Sequence, residues 1–170
     1  MLAVTFRFTC KSCGEIHEGV PTFGADEPLL VHLMPASERA GHVRLGSDDC
    51  VIDDERFLIR GCLEIRVEGE TDPFVWGVWV DINREDFGEW TNTFRMRKRS
   101  DIGPFAAYLG NTLPTYPDTF NLHVVAHLRD DGTRPLIEVL PCENPLYEEQ
   151  RGGISRARLA EIYEKVIHGE

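Results

Sequence analysis

The segment near the N-terminus holds the residues whose types and spacing best fit metal chemistry. Cys10 and Cys13 are separated by two residues, Gly14 follows them, and His17 lies four residues beyond Cys13. Two cysteines at this spacing can direct both thiolates to one ion, and the glycine relieves backbone crowding in the tight turn. The segment therefore provides half of the ligand set of a structural zinc site.

The other ligands of such a site must come from isolated residues, because the chain contains no second CxxC and a structural zinc site has four protein ligands. The candidates are His17, Cys50, Cys62 and Cys142. Cys62 is disfavoured because its neighbours Arg60 and Glu64 indicate a solvated or ion-paired face of a strand. We therefore expect Zn²⁺ to be bound by Cys10, Cys13, His17 and Cys50.

Three other interpretations of the two cysteines remain open. They could be ordinary reduced thiols at the end of a strand. They could bind a zinc ion with one further ligand and a water, with Glu15 or Glu64 as the base of a hydrolase. A redox dithiol is the third, but its first cysteine needs a helix N-terminus to lower the thiol pKa, and Gly19 and Pro21 oppose a helix after the motif.

Composition limits the partners and the compartment. The chain has 18 Lys and Arg against 29 Asp and Glu, a formal net charge of -11, so we expect neither nucleic acid nor an anionic membrane as a partner. No leader peptide and no apolar run of about 18 residues is evident, which favours a cytoplasmic protein. In that compartment an odd count of five cysteines indicates free thiols or metal ligands.

Two runs of like charge are expected to lie in solvent. The acidic run is Asp48, Asp49, Asp53, Asp54 and Glu55, and the basic run is Arg95, Arg97, Lys98 and Arg99. The acidic run lacks the spacing of a calcium loop, and charge runs are usually solvated. The chain also lacks the GxSxG, Walker and GxGxxG motifs, so no residue stands out as a catalytic nucleophile or phosphate binder.

The elements that would position the metal ligands follow from hydrophobic periodicity and turn residues. Strands are predicted over residues 3–9, 50–67, 74–82, 121–128 and 134–140, and helices over 37–45, 84–90, 104–109 and after Ser155. We expect one domain over residues 1–170 in the α+β class: a single antiparallel β-sheet of about five strands, short peripheral helices, and a C-terminal amphipathic helix packed on the sheet.

Five stretches read together resemble a bacterial family known as domain of unknown function 2199. They are FTCKSCGEIHEGVPTFG, SDDCVIDDERFLIRGCLEI, PFVWGVWVDI, LPTYPDTFNLHVVAHL and RPLIEVLPCENPLYEEQRGGIS. Their order and spacing cover nearly the whole chain. The resemblance implies one bacterial domain with an N-terminal CxxC, and it assigns no catalytic role to any position.

These observations favour a non-enzymatic, zinc-stabilised interaction or regulatory module. Its acidic surface, with Trp79 or Trp90, would meet a protein partner, and neutralisation of a basic toxin is one concrete version of this role. A metal-assisted hydrolase with an open zinc site and a thiol redox protein are the alternatives.

Overall fold

The computed structural model describes residues 5–169. Its strands are β1 (Arg7–Thr9), β2 (Ile16–Glu18), β3 (Thr22–Gly24), β4 (Val43–Leu45), β5 (Asp49–Ile52), β6 (Arg56–Ile65), β7 (Phe74–Ile82), β8 (Phe105–Leu109), β9 (His123–His127) and β10 (Leu136–Val139). Its helices are α1 (Leu29–His32), α2 (Ala36–Arg39), α3 (Arg84–Thr93), α4 (Pro145–Gly152) and α5 (Arg156–His168). None of the helices in this part of the chain has the length and apolar character needed to cross a bilayer.

Five of the strands close into a barrel, in the order β6, β7, β8, β9 and β10, with β10 pairing back onto β6. The β10–β6 pair is parallel, and the other four pairs are antiparallel. The prediction of a single antiparallel sheet of about five strands is therefore wrong. The structure has a closed barrel with extra strands, a separate two-stranded sheet of β1 and β2, and five helices in the described residues.

The two longest strands, β6 and β7, each pair with two different strands along the outer edge, and this allows the barrel to close. β6 and β7 pair with each other along nine residue pairs. The free edge of β6 then pairs with β5 up to Ile59 and with β10 at Cys62. The free edge of β7 likewise pairs with β3 up to Gly77 and with β8 from Val80. Outside the barrel, the sheet therefore continues with β3 beside β7, and with β5 and then β4 beside β6.

Gly61 lets β10 approach β6 at the point where the barrel closes. A Cβ atom at this position would lie 2.6 Å from two side-chain carbons of Ile137 and 3.0 Å from the carbonyl oxygen of Pro135. The first contact is shorter than carbon atoms tolerate, so a side chain at position 61 would displace the Ile137 side chain or β10 itself. The sequence alternation around Gly61 predicts a strand, but not this close approach.

Trp76 and Trp79 lie on opposite faces of β7, as their odd spacing predicts. Trp76 belongs to the main hydrophobic core, and Trp79 belongs to a second cluster with Val31 and Cys50 on the outside of the barrel. Trp79 is fully buried and Trp90 is 4% exposed. Neither ring is therefore available for the partner contact that the sequence suggested.

Several locally coded elements form as predicted. The helix after Asn83 is present, with the Asn83 side chain accepting a hydrogen bond from the backbone N–H of Asp86, and it extends to Thr93. α5 begins after Ser155, whose hydroxyl accepts from the N–H of Arg158. Strands β9 and β10 form the predicted antiparallel pair.

Other predicted elements were wrong. Residues 105–109 form strand β8 rather than a helix, because Phe105, Ala107 and Leu109 alternate into the barrel at period two. The predicted helix over 37–45 is a single turn, α2, followed by strand β4. The predicted first strand is reduced to Arg7–Thr9, and residues 3 and 4 lie outside the described residues.

Candidate metal centre

A short hairpin presents the two cysteines of the CxxC motif. β1 and β2 pair antiparallel, with Phe8 opposite His17. The loop between them closes on itself, because the N–H of Cys10 donates to the carbonyl of Glu15 at 2.8 Å and the N–H of Gly14 donates to the carbonyl of Cys10 at 2.9 Å. Gly14 has a φ of 74°, a conformation that favours glycine. This turn directs both thiols to the end of the hairpin.

The C-terminal helix α5 contacts this hairpin through aromatic and polar groups. The Tyr163 ring lies 5.2 Å from the Phe8 ring and 4.9 Å from the His17 ring, measured between centroids. The next residue of the same helix is Glu164, and its carboxylate accepts a hydrogen bond from the N–H of Lys11 at 2.7 Å. α5 thereby brings its last residue, His168, to the CxxC turn.

Four side chains meet at this point: Cys10, Cys13, His17 and His168. One ligand atom from each lies within 4.8 Å of the ligand atoms of the other three, close enough to hold a metal ion. Cys10 is buried, the two histidines are partly buried, and Cys13 is exposed. The group therefore has a buried side against α5 and an open side toward solvent.

The distances within the group fit a tetrahedral ion. The Cys10 Sγ lies 3.2 Å from the His168 Nε2, and the Cys13 Sγ lies 3.5 Å from the His17 Nε2. With Zn–S near 2.3 Å and Zn–N near 2.0 Å, a tetrahedral site requires about 3.6 Å between a sulfur and a nitrogen ligand. Small movements of the side chains would bring all four atoms into a shell with two sulfur and two nitrogen ligands.

The electrostatics of Cys13 do not resemble those of a reactive thiol. The backbone N–H of Glu15 lowers the pKa of the Cys13 thiol, but desolvation and the neighbouring Cys10 outweigh this effect, so the pKa is raised above its usual 9.0. A redox thiol needs a lowered pKa, commonly at a helix N-terminus. Here the motif sits in a hairpin loop, and the first cysteine is 1% exposed. This arrangement does not favour thiol redox chemistry.

Cys50, the fourth ligand expected from the sequence, lies elsewhere in the structure. It packs in the second hydrophobic cluster with Leu58 and Trp79 and is fully buried. Burial raises the pKa of its thiol to about 11. A buried thiol of this kind behaves as a small apolar side chain. Cys62 and Cys142 are also outside the four-residue group, and both are free.

His168 is the member of the group that the sequence analysis missed. It is separated from Cys10 by 158 residues, and no local pattern links the two. The sequence did contain one indication, because a helix is predicted after Ser155 and His168 is its last residue. Gly169, with a φ of 67°, ends this helix. The end of a predicted amphipathic helix that carries a histidine is a reasonable place to look for a missing ligand.

The molecule is therefore a small barrel protein with a candidate Cys₂His₂ metal centre. The family model described as uncharacterized protein conserved in bacteria (DUF2199) matches residues 9–154, and the chain belongs to this family. The match includes Cys10, Cys13 and His17 and ends before His168. No curated protein and no solved structure matches the chain.

Proposed function

We propose that this protein is a non-enzymatic interaction module in which a structural zinc ion fixes the N-terminal hairpin to the C-terminal helix. The observation that carries the proposal is the convergence of Cys10, Cys13, His17 and His168, whose ligand atoms lie within 4.8 Å of one another. Two thiolates and two imidazoles are a common ligand set of structural zinc sites.

A closed set of four ligands favours a structural ion over a catalytic one. Catalytic zinc sites have three protein ligands and leave the fourth position to water. With His168 in the group, no position would remain for an activated water. The hydrolase alternative required that open position, so the geometry supports it less well.

The ion would stabilise a contact between two distant parts of the chain. The hairpin has two strands of three residues each, and its described strand residues are exposed or partly exposed. A two-stranded hairpin of this size is marginal in water. Coordination of one ion by Cys10 and Cys13 of the hairpin and by His168 of α5 would fix the hairpin on this helix, in addition to the contact between the Tyr163 and His17 rings.

An acidic surface is the proposed site of partner binding. It consists of the exposed residues Asp53, Asp54, Glu55, Glu85 and Glu89. A hydrogen bond from Arg84 to the Asp54 carbonyl joins the start of α3 to the turn that follows β5. Asp53 pairs with His42 and Asp54 pairs with Arg44, whereas Glu55, Glu85 and Glu89 have no ion pair within residues 5–169. A basic protein surface would complement these three carboxylates.

Metal content measured by native mass spectrometry and elemental analysis tests the zinc site. We expect one zinc ion per chain in the wild type, and loss of the ion in Cys13→Ser and His168→Ala. Cys142→Ser and His123→Ala are matched controls, because both residues are exposed and lie outside the group. Both controls should keep a full equivalent of zinc.

Two outcomes would contradict the structural assignment. The absence of zinc from wild-type protein purified without chelator would refute the metal centre. A full equivalent of zinc in His168→Ala, bound as tightly as in wild type, would show that His168 is not a required ligand and would again favour the metal-assisted hydrolase.

Charge reversal tests the acidic surface independently of the metal. The triple variant Glu55→Lys, Glu85→Lys and Glu89→Lys should lose a partner that wild-type protein captures from a lysate of the source bacterium. The control Glu38→Lys, Glu68→Lys and Glu143→Lys has the same change in net charge at other exposed positions and should keep the partner. Equal loss in both variants would indicate a net-charge effect only and would refute this surface as the binding site.

A further inference from the structure

A second candidate site lies outside both charge runs of the sequence. Within the basic run, Arg95, Arg97 and Lys98 are exposed as predicted, whereas Arg99 is 3% exposed, so the prediction of a solvated loop is wrong for this residue. The second site is a cleft of about 600 Å³ on the outer face of the barrel. Residues of the neighbouring strands β7, β8 and β9 line it.

Asp81, Tyr108 and His123 stand side by side across these three strands. Asp81 is directly opposite Tyr108 in the β7–β8 pair, and Tyr108 is directly opposite His123 in the β8–β9 pair. Opposite side chains on one face of a sheet have Cβ atoms about 4.5–5.5 Å apart. The rings of Tyr108 and His123 are in edge-to-face contact, with their centroids 4.8 Å apart. Ala106 is on the same face of β8, and its small side chain leaves room beside the Tyr108 ring.

Three polar side chains of the cleft have no hydrogen-bond partner in the protein. The Tyr108 hydroxyl, the His123 imidazole and the Asn121 amide make no hydrogen bond within residues 5–169, and all three residues line the cleft. All three are exposed, and Tyr108 is 48% exposed. Exposed groups of this kind bind water in the free protein, and a ligand that supplies matching hydrogen bonds can replace that water.

The charged residues of the cleft neutralise each other. Arg56 donates a hydrogen bond from Nη1 to the Asp81 Oδ2 at 2.9 Å, and the Asp81 side chain is 20% exposed. Burial raises the pKa of the Asp81 carboxyl above its usual 3.8, although Arg56 opposes this effect. With His123 neutral, the other lining residues carry no charge. A cleft without net charge favours a neutral ligand over an ion.

We propose that this cleft binds a neutral saccharide. One face of a sugar ring carries C–H groups, which pack on the exposed Tyr108 ring, and the sugar hydroxyls both donate and accept hydrogen bonds. Asp81 accepts from these hydroxyls, Arg56 donates to them, and the Asn121 amide does both. The cleft volume of about 600 Å³ is within the range of small-molecule sites, about 300–1,000 Å³. Binding here requires neither the zinc ion nor a protein partner.

The ring signals of the four tyrosines provide the test. In full-length protein labelled with ¹³C-tyrosine, Tyr108→Phe identifies the Tyr108 signals by their absence. The probes are the methyl glycosides of glucose, galactose, mannose and N-acetylglucosamine, titrated separately. At least one probe should shift the Tyr108 signals in a saturable way, with a Kd on the order of 1 mM. The signals of Tyr116, Tyr147 and Tyr163 should not move, because these residues are outside the cleft lining.

Removal of the aromatic ring should have the larger effect on binding. Tyr108→Ala should weaken the Kd of the tightest probe about tenfold or more, which corresponds to at least about 1.4 kcal/mol. The backbone amide signal of His123 reports binding in this variant. Phe94→Ala is the matched control, because Phe94 is 45% exposed and lies outside the cleft lining. Its Kd should change less than about twofold.

Neutralisation of the carboxylate tests the hydrogen bonds to the sugar. Asp81→Asn should weaken the Kd several-fold, because an amide is a weaker acceptor than a carboxylate. Asp26→Asn is the control, since it alters another Arg–Asp pair, 3.4 Å from Arg60, outside this cleft. The exposed Tyr108 keeps the test valid if Asp81→Asn does not fold.

Three results would overturn the proposal. The first is that none of the glycosides shifts the Tyr108 signals at about 50 mM, far above a millimolar Kd. The second is that benzyl alcohol binds as tightly as the best glycoside, which would remove the requirement for several hydroxyls. The third is that glucose 6-phosphate binds much more tightly than methyl glucoside, which would show a site for anions.

Discussion

The barrel and the N-terminal hairpin are stabilised in different ways. The barrel strands alternate buried residues into one continuous hydrophobic core. In the hairpin, none of the strand residues of β1 and β2 is fully buried. Burial of apolar surface is the dominant favourable term in folding, and the barrel has far more of it. The comparison implies that the barrel is stable by itself and that the hairpin depends on Phe8, which packs against the edge of the core, and on a few specific side chains at the metal centre.

The largest effect is expected from a side chain at the barrel closure. Gly61→Val should lower the free energy of unfolding by about 3 kcal/mol, because its Cβ alone would overlap Ile137 and approach the Pro135 carbonyl. Gly88→Ala is the control, since a Cβ there meets nothing within 4 Å in helix α3 and alanine favours helices by about 1 kcal/mol. Urea unfolding measures the free energy of unfolding of both variants. A neutral Gly61→Val would contradict a tightly packed closure of β10 on β6 at this position.

Chelation of the metal should affect the hairpin and leave the barrel intact. After treatment with a zinc chelator, hydrogen exchange at the amides of Cys10 and Gly14 should accelerate about 100-fold, close to 3 kcal/mol of local stability. The amides of β6 and β7 should keep their protection. Equal acceleration in both regions would show that the hairpin and barrel unfold together and would contradict the comparison.

A smaller effect distinguishes the two buried cysteines, Cys10 and Cys50. Cys50→Ala should lower the free energy of unfolding by about 1 kcal/mol, because it removes a buried sulfur from the second hydrophobic cluster. The variant should bind zinc as tightly as wild type. Cys10→Ala should lose zinc. Loss of zinc in Cys50→Ala would instead restore the ligand set expected from the sequence.

The smallest effect concerns a surface ion pair beside the barrel. Burial raises the pKa of the Asp48 carboxyl, but hydrogen bonds from Arg134 and Ser47 outweigh it, so the pKa is lowered from its usual 3.8. A lowered folded-state pKa stabilises the protein above pH 3.8, and this contribution disappears as the pH falls through the folded value. Asp48→Asn should therefore cost less than about 1 kcal/mol at pH 7, since Arg134 is 41% exposed. In acid unfolding experiments, the difference in the free energy of unfolding between Asp48→Asn and wild type should vanish below the folded-state pKa of Asp48.

Elements with local signals were predictable from the sequence. The caps at Asn83 and Ser155 use side chains that accept from nearby backbone N–H groups. β7 matches its predicted range, residues 74–82, because its apolar run and the residues on either side of it define where the strand begins and ends. The two cysteines and His17 of the candidate site are also close in sequence, and the structure brings their side chains together.

Elements that depend on distant partners were not predictable. β8 was mistaken for a helix, because five residues such as FAAYL fit both periods and only the barrel decides between them. Cys50 was chosen as a ligand from strand patterning, yet its side chain enters an apolar cluster formed with α1 and β7. Strand patterning identifies two faces and does not say which element covers each one.

The sequence by itself determined the CxxC turn, the capped helices, the long central strands and the membership of a bacterial family. Only the tertiary structure decided that β10 pairs with β6 to close a barrel, and that His168 meets Cys10 across 158 residues of chain. The physical reason is the range of the interactions. Caps, turns and periodicity act over a few neighbouring residues, whereas barrel closure and a ligand set depend on how the whole core packs.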